Sequence, residues 1–206
     1  LREGVAPERV HRVGNVMIDT LMANLDKARG LPVLDRLGVS PGEYAVLTLH
    51  RPSNVDDPMV LSRLLDVLEE IHAKVPIIFP VHPRTAAAIK GLGREVSLRT
   101  LEPLGYHELL RLMADARLVL TDSGGIQEET TALGVACLTL RANTERPITV
   151  EEGTNTIVGV QPDAIRGEVS KILQGGGKAG RVPELWDGRA AVRIVDVLEK
   201  DLGTGR

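Results

Sequence analysis

The chain has 206 residues, room for one sizeable domain and a little more. With 43% hydrophobic and 26% charged residues it has the composition of an ordinary globular protein, and a formal charge of −3 gives no basic footprint for nucleic acid. No apolar run is long enough to span a bilayer, no signal peptide is read, and the lone Cys137 forms neither an internal disulfide nor a cysteine metal site, so a reducing cytoplasm is expected.

Aromatic residues are only 2%, so the core must be assembled from Leu, Val, Ile and Ala. Arg9 to Val13 reads as a short strand ending at Gly14-Asn15. Val16, Ile18, Leu21, Met22 and Leu25 then recur at helical spacing, and Gly30-Leu31-Pro32 ends that helix. Leu34 to Glu43 reads as a polar connector with one helical turn. Tyr44 to Leu49 is a buried strand followed by a loop, His50 to Asp57. Pro58 to His72 is an amphipathic helix with its apolar stripe on Val60, Leu61, Leu64, Leu65, Leu68 and Ile71. Pro76 to Val81 is a strand, followed by a loop His82 to Thr85 and a helix to about Leu92.

Ser97 to Leu101 is the next strand and Gly105 to Ala114 the next helix. Leu118 to Thr121 and Gly124 to Leu133 form a strand–turn–helix unit. Ala136 to Leu140 is a fifth strand, with Cys137 as a buried thiol, and Arg141 to Pro147 a loop. A short helix near Ile148 to Glu152, a sixth strand Thr156 to Val160 and a helix Pro162 to Leu173 follow. Gly175 to Gly177 is a flexible break, and Arg189 to Leu198 a last amphipathic helix. Strands alternating with helices predict an α/β fold, a Rossmann-like doubly wound parallel sheet with right-handed crossovers.

The unit Leu118 to Gly134 carries the strongest chemical signal. Asp122 and Ser123 can cap the helix, Gly124-Gly125 permit a tight turn, and Gly134 stops the helix. Free backbone N–H groups then face outward at the carboxyl end of a strand, where an open α/β sheet binds ligands and where phosphate is favoured. Glu128 and Glu129 can accept hydrogen bonds from sugar hydroxyls. The same pattern is also plain turn chemistry in any βα unit.

Other strand ends add to the signal. His50 and Arg51 follow one strand, His82 and Arg84 the next, and Arg141, Glu145 and Arg146 follow Leu140. A parallel sheet gathers these loops on one edge, and arginine with a helix N-terminus suits a diphosphate. The composite points to a nucleotide or nucleotide sugar. His50, His82 and Asp122 lack a metal-ligand spacing such as His-Glu-x-x-His, so no metal is expected. Ser123 lacks the Gly-x-Ser-x-Gly elbow of a hydrolase.

Val13-Gly14-Asn15 with Ile18-Asp19, Thr48 to Arg51, Pro80 to His82, Leu118 to Glu129, Thr144 to Pro147 and Glu152 to Thr154 resemble the non-hydrolysing UDP-N-acetylglucosamine 2-epimerase family. The resemblance covers roughly Arg9 to Val160, with a looser match at Arg189 to Leu198. It implies the carboxyl-terminal domain of a glycosyltransferase-B-like fold, whose active site lies between two Rossmann-like domains. It implies conversion of UDP-GlcNAc to UDP-ManNAc by elimination of UDP and re-addition, with no cofactor. By that match His50 is catalytic and lies near the UDP. Ser123, Gly124 and Gly125 hold the diphosphate, Glu129 the ribose, and Arg146 a phosphate or the surrounding glutamates. The backbone near Leu104 meets uracil, Leu109 stands where the family often has an aromatic ring, and Arg51 and His82 complete the site.

Two departures from the family pattern stand out. His50-Arg51-Pro52-Ser53 replaces a frequent His-Arg-Arg-Glu, which puts allosteric control by a second UDP-GlcNAc in doubt. The match also starts at a linker. The expected organisation is a linker and interdomain helix over 1–30, a nucleotide domain over 31–188 and a crossing helix over 189–206, with the amino-terminal domain, and the acidic catalytic residues it carries in the family, missing. The expected partners are UDP or UDP-GlcNAc and that missing domain. The apolar face Ala191, Ile194, Val195 and Leu198 is expected to be exposed or to drive self-association, a possible homodimer. The alternatives are a stand-alone UDP-sugar binding module, a glycosyltransferase domain, or a hydrolysing epimerase.

Overall fold

The structure, a computed structural model, describes residues 4–203. In chain order the elements are α1 (Val16–Arg29), α2 (Val33–Leu37), β1 (Ala45–Thr48), α3 (Pro52–Val55), α4 (Pro58–His72), β2 (Ile77–Pro80), α5 (Pro83–Gly91) and β3 (Arg99–Leu101). There follow α6 (Tyr106–Ala114), β4 (Leu118–Thr121), α7 (Gly124–Leu133), β5 (Cys137–Thr139), α8 (Pro147–Glu151), β6 (Asn155–Ile157), α9 (Pro162–Leu173) and α10 (Ala190–Gly203). The strands form one six-stranded parallel sheet in the order β3-β2-β1-β4-β5-β6. The order reverses at β1 and β4, which pair from Ala45 with Leu118 to Thr48 with Thr121, and their carboxyl ends open the crevice where such folds bind ligands.

Strand alternation divides the core in two. Ala45, Leu47, Ile77, Phe79, Leu118 and Leu120 point to one face, against Leu61, Leu64, Leu65 and Leu68 of α4 and Ile165 and Val169 of α9. Val46, Ile78 and Val119 point to the other, against Val33, Leu34 and Leu37 of α2 and Leu112 and Met113 of α6. The Tyr44 hydroxyl is buried and donates to the Leu112 carbonyl at 2.7 Å, and burial pushes that phenol well up from its usual value. Helix α4 matches the sequence expectation residue for residue, because Asp57 caps it (Met59 N–H at 2.8 Å) and Pro58 occupies its first position.

Three expectations change. Residues 9–13 pair with no strand. A 3-10 turn, Pro7–Arg9, precedes an extended segment that leads to Asn15, the N-cap of α1. The loop after β1 contains the short helix α3, begun by Pro52 at a position where a missing N–H costs nothing. Gly124 and Gly125 adopt no left-handed φ, so the turn does not require them. A Cβ on Gly125 would instead meet the flexible end of Met17 of α1, Cε at 3.0 Å, which would have to shift slightly.

Candidate functional site

Asp122, fully buried at the end of β4, joins the crevice across its two sides. Its carboxylate accepts from His50 Nδ1 at 2.9 Å, from the amides of His50 and Arg51 at 3.0 and 2.8 Å, and from Asn54 Nδ2 at 3.2 Å. Burial pushes the Asp122 carboxyl up, but the His50 ring and the two amides outweigh it and hold the group below its ordinary value. Asn54 also donates to the Leu140 carbonyl at 2.9 Å, tying β1, β4 and β5 together at their carboxyl ends. The Nδ1–H bond to Asp122 fixes the tautomer and orientation of the partly exposed His50 ring. His82 lies beside it, ring centroids 5.7 Å apart, and its Nδ1 accepts the Arg84 amide as the N-cap of α5.

Ser123 follows Asp122 directly. Its amide donates to Thr121 Oγ1 at 3.0 Å, and its hydroxyl, at the N-cap position of α7, makes no capping bond. Arg146 crosses the same turn: a Cβ on Gly124 would lie 3.8 Å from Arg146 Cγ and 3.8 Å from Glu145 Oε2. The guanidinium reaches Glu128 Oε1 at 3.1 Å, an oxygen shared with Asn15 Nδ2 at 3.0 Å. Arg141 grips Glu145 with both terminal nitrogens, at 2.8 and 2.7 Å, and that bond first of all brings the Glu145 carboxyl down to about 2. Glu145 Oε2 lies beside Gly124, which puts this pair at the start of α7.

Glu129 is 8% exposed and accepts from the Tyr106 hydroxyl at 3.3 Å. Burial pushes its carboxyl up, the Tyr106 bond opposes this, and the Glu128 charge adds to it. Burial likewise pushes up Glu128, against the pull of Arg146 and Asn15. Tyr106 is 38% exposed, and partial desolvation, with the Glu129 charge and hydrogen bond, pushes it up to about 12. Adjacent carboxyls held partly dry at a cleft are the setting in which shifted ionisation marks a working site.

The structure thus brings His50, Arg51, His82, Ser123, Gly124 and Arg146 around one crevice, with Glu129 on α7 behind them. Leu104 and Leu109 pack against the apolar layer of Val46, Ile78 and Val119. Sequence reasoning left Asn54, Tyr106, Gln127 and Thr144 out of the site. Tyr106 carried a signal, being one of two tyrosines in an aromatic-poor chain. Asn54 carried none, because its role depends on α3 turning it onto Asp122 and Leu140.

Among the described residues, no group of three or more His, Cys, Asp and Glu side chains is placed to hold a metal ion, and no helix is long and apolar enough to cross a membrane. A cavity of about 870 Å³ opens between α5 and the end of β3, lined by Val81, Ala86, Ile89, Leu101 and neighbours. Lys90, Thr100 and Glu102 are its polar lining, whereas the histidines, arginines and start of α7 gathered at β1 and β4 make that crevice the better site for a diphosphate.

The family described as UDP-N-acetylglucosamine 2-epimerase matches residues 1–199. The UDP-N-acetylglucosamine 2-epimerase of Methanocaldococcus jannaschii is 38% identical over 210 residues, covering 96% of this chain and 57% of that protein. The UDP-2,3-diacetamido-2,3-dideoxy-D-glucuronate 2-epimerase of Pseudomonas aeruginosa is 34% identical over 197 residues, covering 93% and 53%. The crystal structure of the Methanocaldococcus jannaschii enzyme in complex with UDP-GlcNAc and UDP superposes with a TM-score of 0.80 at 36% identity, over 95% of this chain and 57% of that one. The chain spans about half the length of the curated relatives it matches. A profile match over nearly the whole sequence, on a parallel sheet that gathers histidine, arginine and a helix N-terminus at its switch point, shows that the chain belongs to the UDP-N-acetylglucosamine 2-epimerase family.

Proposed function

We propose that this chain binds UDP and the UDP moiety of UDP-N-acetylglucosamine, as the nucleotide-binding part of a 2-epimerase that interconverts UDP-GlcNAc and UDP-ManNAc. The observation that carries the reading is Asp122, which ties the His50 ring at the end of β1 to the start of α7 at the end of β4. The pyrophosphate docks on the outward amides of Gly124 to Ile126, where the helix dipole and aligned N–H groups favour an anion. Arg146, steered by Glu128, lies along the same turn and neutralises a phosphate oxygen. Glu129, beside Tyr106, accepts the ribose diol.

Elimination places negative charge on the departing UDP, so groups that hold that charge lower the barrier. His50, held by a buried carboxylate through Nδ1–H, donates Nε2–H toward the bridging oxygen in its imidazolium form and is left neutral once that proton is given. Acidic residues acting on the sugar belong to the part of the longer relatives that this chain does not span. A cytoplasmic site and a role in cell-envelope polysaccharide belong to the same reading.

The test is a thermal-shift and calorimetric titration of the 206-residue chain with UDP, UDP-GlcNAc and UMP, with turnover followed by product analysis. Both diphosphates are expected to raise the melting temperature, UMP much less, and UDP-GlcNAc to remain unconverted. Equal shifts with UMP would remove the diphosphate site; epimerisation by this chain would remove the assignment of chemistry to other residues. A preference for the diacetamido-glucuronate nucleotide over UDP-GlcNAc would correct the sugar.

A further inference from the structure

The underside of α7 holds a buried polar network that the nucleotide reading does not use. Gln127, Thr139, Thr149 and Asn155 are all fully buried. Thr139 Oγ1 donates to Asn155 Oδ1 at 2.7 Å, and Asn155 Nδ2 donates to Thr149 Oγ1 at 3.0 Å and Gln127 Oε1 at 3.3 Å. Thr149 Oγ1 donates to the Arg146 carbonyl at 2.7 Å. Thr144 Oγ1 donates to Gln127 Oε1 at 2.5 Å and accepts the Arg146 amide at 2.9 Å. Each hydroxyl and amide has one consistent direction, so the hydrogens follow a single pattern. One buried donor is left over, Gln127 Nε2.

Both backbone polar groups of Arg146 are therefore fixed by side chains that lead back to Gln127, one through Thr144 and one through Thr149 and Asn155. Gln127 stands one turn below the Ser123–Gly124 start of α7; its own amide donates to the Ser123 carbonyl at 3.3 Å. The same side chain thus sits on the helix that receives the phosphates and holds the loop that brings Arg141, Glu145 and Arg146 over them. We propose that Gln127 is a positioning residue, which acts through Thr144 to set the Arg141–Arg146 loop against the helix start and thereby sets affinity for the pyrophosphate but not for the nucleoside. An apolar residue of similar volume would fill the space under α7, but would free the loop. This rests on the nucleotide reading given above.

The experiment compares Gln127→Leu, Thr144→Val and Thr144→Ser in the 206-residue chain. UDP affinity is read by calorimetry, uridine affinity by a chemical-shift titration, and loop order by amide hydrogen exchange at Arg146. Gln127→Leu and Thr144→Val are expected to weaken UDP roughly tenfold, about the worth of one charge-assisted contact, to leave uridine unchanged and to speed exchange at Arg146. Thr144→Ser keeps the hydroxyl and restores both. Thr144 lies in a half-exposed loop, so its variants report even if Gln127→Leu does not fold. UDP and uridine weakening together, or UDP unchanged in the Thr144→Val variant, overturns the inference alone. A wild-type chain that binds no UDP overturns the nucleotide reading and this inference with it.

Discussion

Helices α4 and α7 flank the same sheet and are built on opposite principles. The buried face of α4 is Leu61, Leu64, Leu65, Val67, Leu68 and Ile71, all apolar. The buried residues of α7 are Gly124, Gln127, Glu128, Glu129, Thr130 and Thr131, none of them a large apolar side chain. The first helix is held by area removed from water; the second buries polar groups tied by directed hydrogen bonds, with Gln127 Nε2, Glu128 Oε2 and Thr131 Oγ1 left without a partner among the described residues. A helix of the first kind tolerates exchange of shape at constant volume. A helix of the second kind fixes atoms in place, which suits the element that presents amides and carboxyls to a ligand.

Removing the centre of the polar side should do the most damage. Asp122→Ala leaves the amides of His50 and Arg51, the His50 ring and Asn54 Nδ2 without their common acceptor, and a loss of about 4 kcal/mol is expected in urea melts. The pH dependence sharpens this. The Asp122 carboxyl is held below its unfolded value, so its contribution is complete above that value of 3.8 and is lost as pH falls through the lower folded value. The gap between wild type and Asp122→Asn should therefore close in acid; a gap that widens there would assign the stabilisation to another group.

On the apolar side the contrast is between two substitutions at one site. Leu65→Ala in α4 should cost about 3 kcal/mol through a cavity, and Leu65→Met under about 1.5 kcal/mol, since the core needs volume more than a particular shape. A Met variant as damaging as the Ala variant would show that α4 is as sharply specified as α7, and the comparison would break. The smallest effect is expected at the junction of α1 and α7. Asn15 caps α1 through the Met17 amide at 2.9 Å and donates to Glu128. Asn15→Ala should cost about 1 kcal/mol, and Asn15→Ser, which restores the cap but not the reach to Glu128, should recover most of it. Failure of the serine to recover stability would shift the weight to Glu128.

The face of α10 differs from both. Val192, Val195 and Leu198 are each 51% exposed and Leu202 is 76% exposed, while Ile194 is partly covered. Val195 and Leu198 are exposed, one of the two outcomes expected for this face from the family resemblance. The helix runs on past Leu198 to Gly203, so the apolar stripe is longer than the sequence suggested. Its first turn is held by Asp19 of α1, which accepts the Ala190 and Ala191 amides at 3.0 and 2.7 Å.

Local signals determined much of this protein. Short apolar runs place β1, β2 and β4, which are buried on both faces, helical spacing places α4 and α9, and a glycine turn with a stop at Gly134 places α7, while Asp57 caps the start of α4. The strand ends also named His50, Arg51, Ser123 and Arg146 as a group, since a parallel sheet must put such loops on one edge. Tertiary structure alone decided that Asp122 is the hub, that Asn54 spans to Leu140, that Tyr106 meets Glu129 and that Gln127 holds the loop of Arg146. Those contacts join residues tens of positions apart, and a hydrogen bond depends on distance and angle that no spacing along the chain encodes.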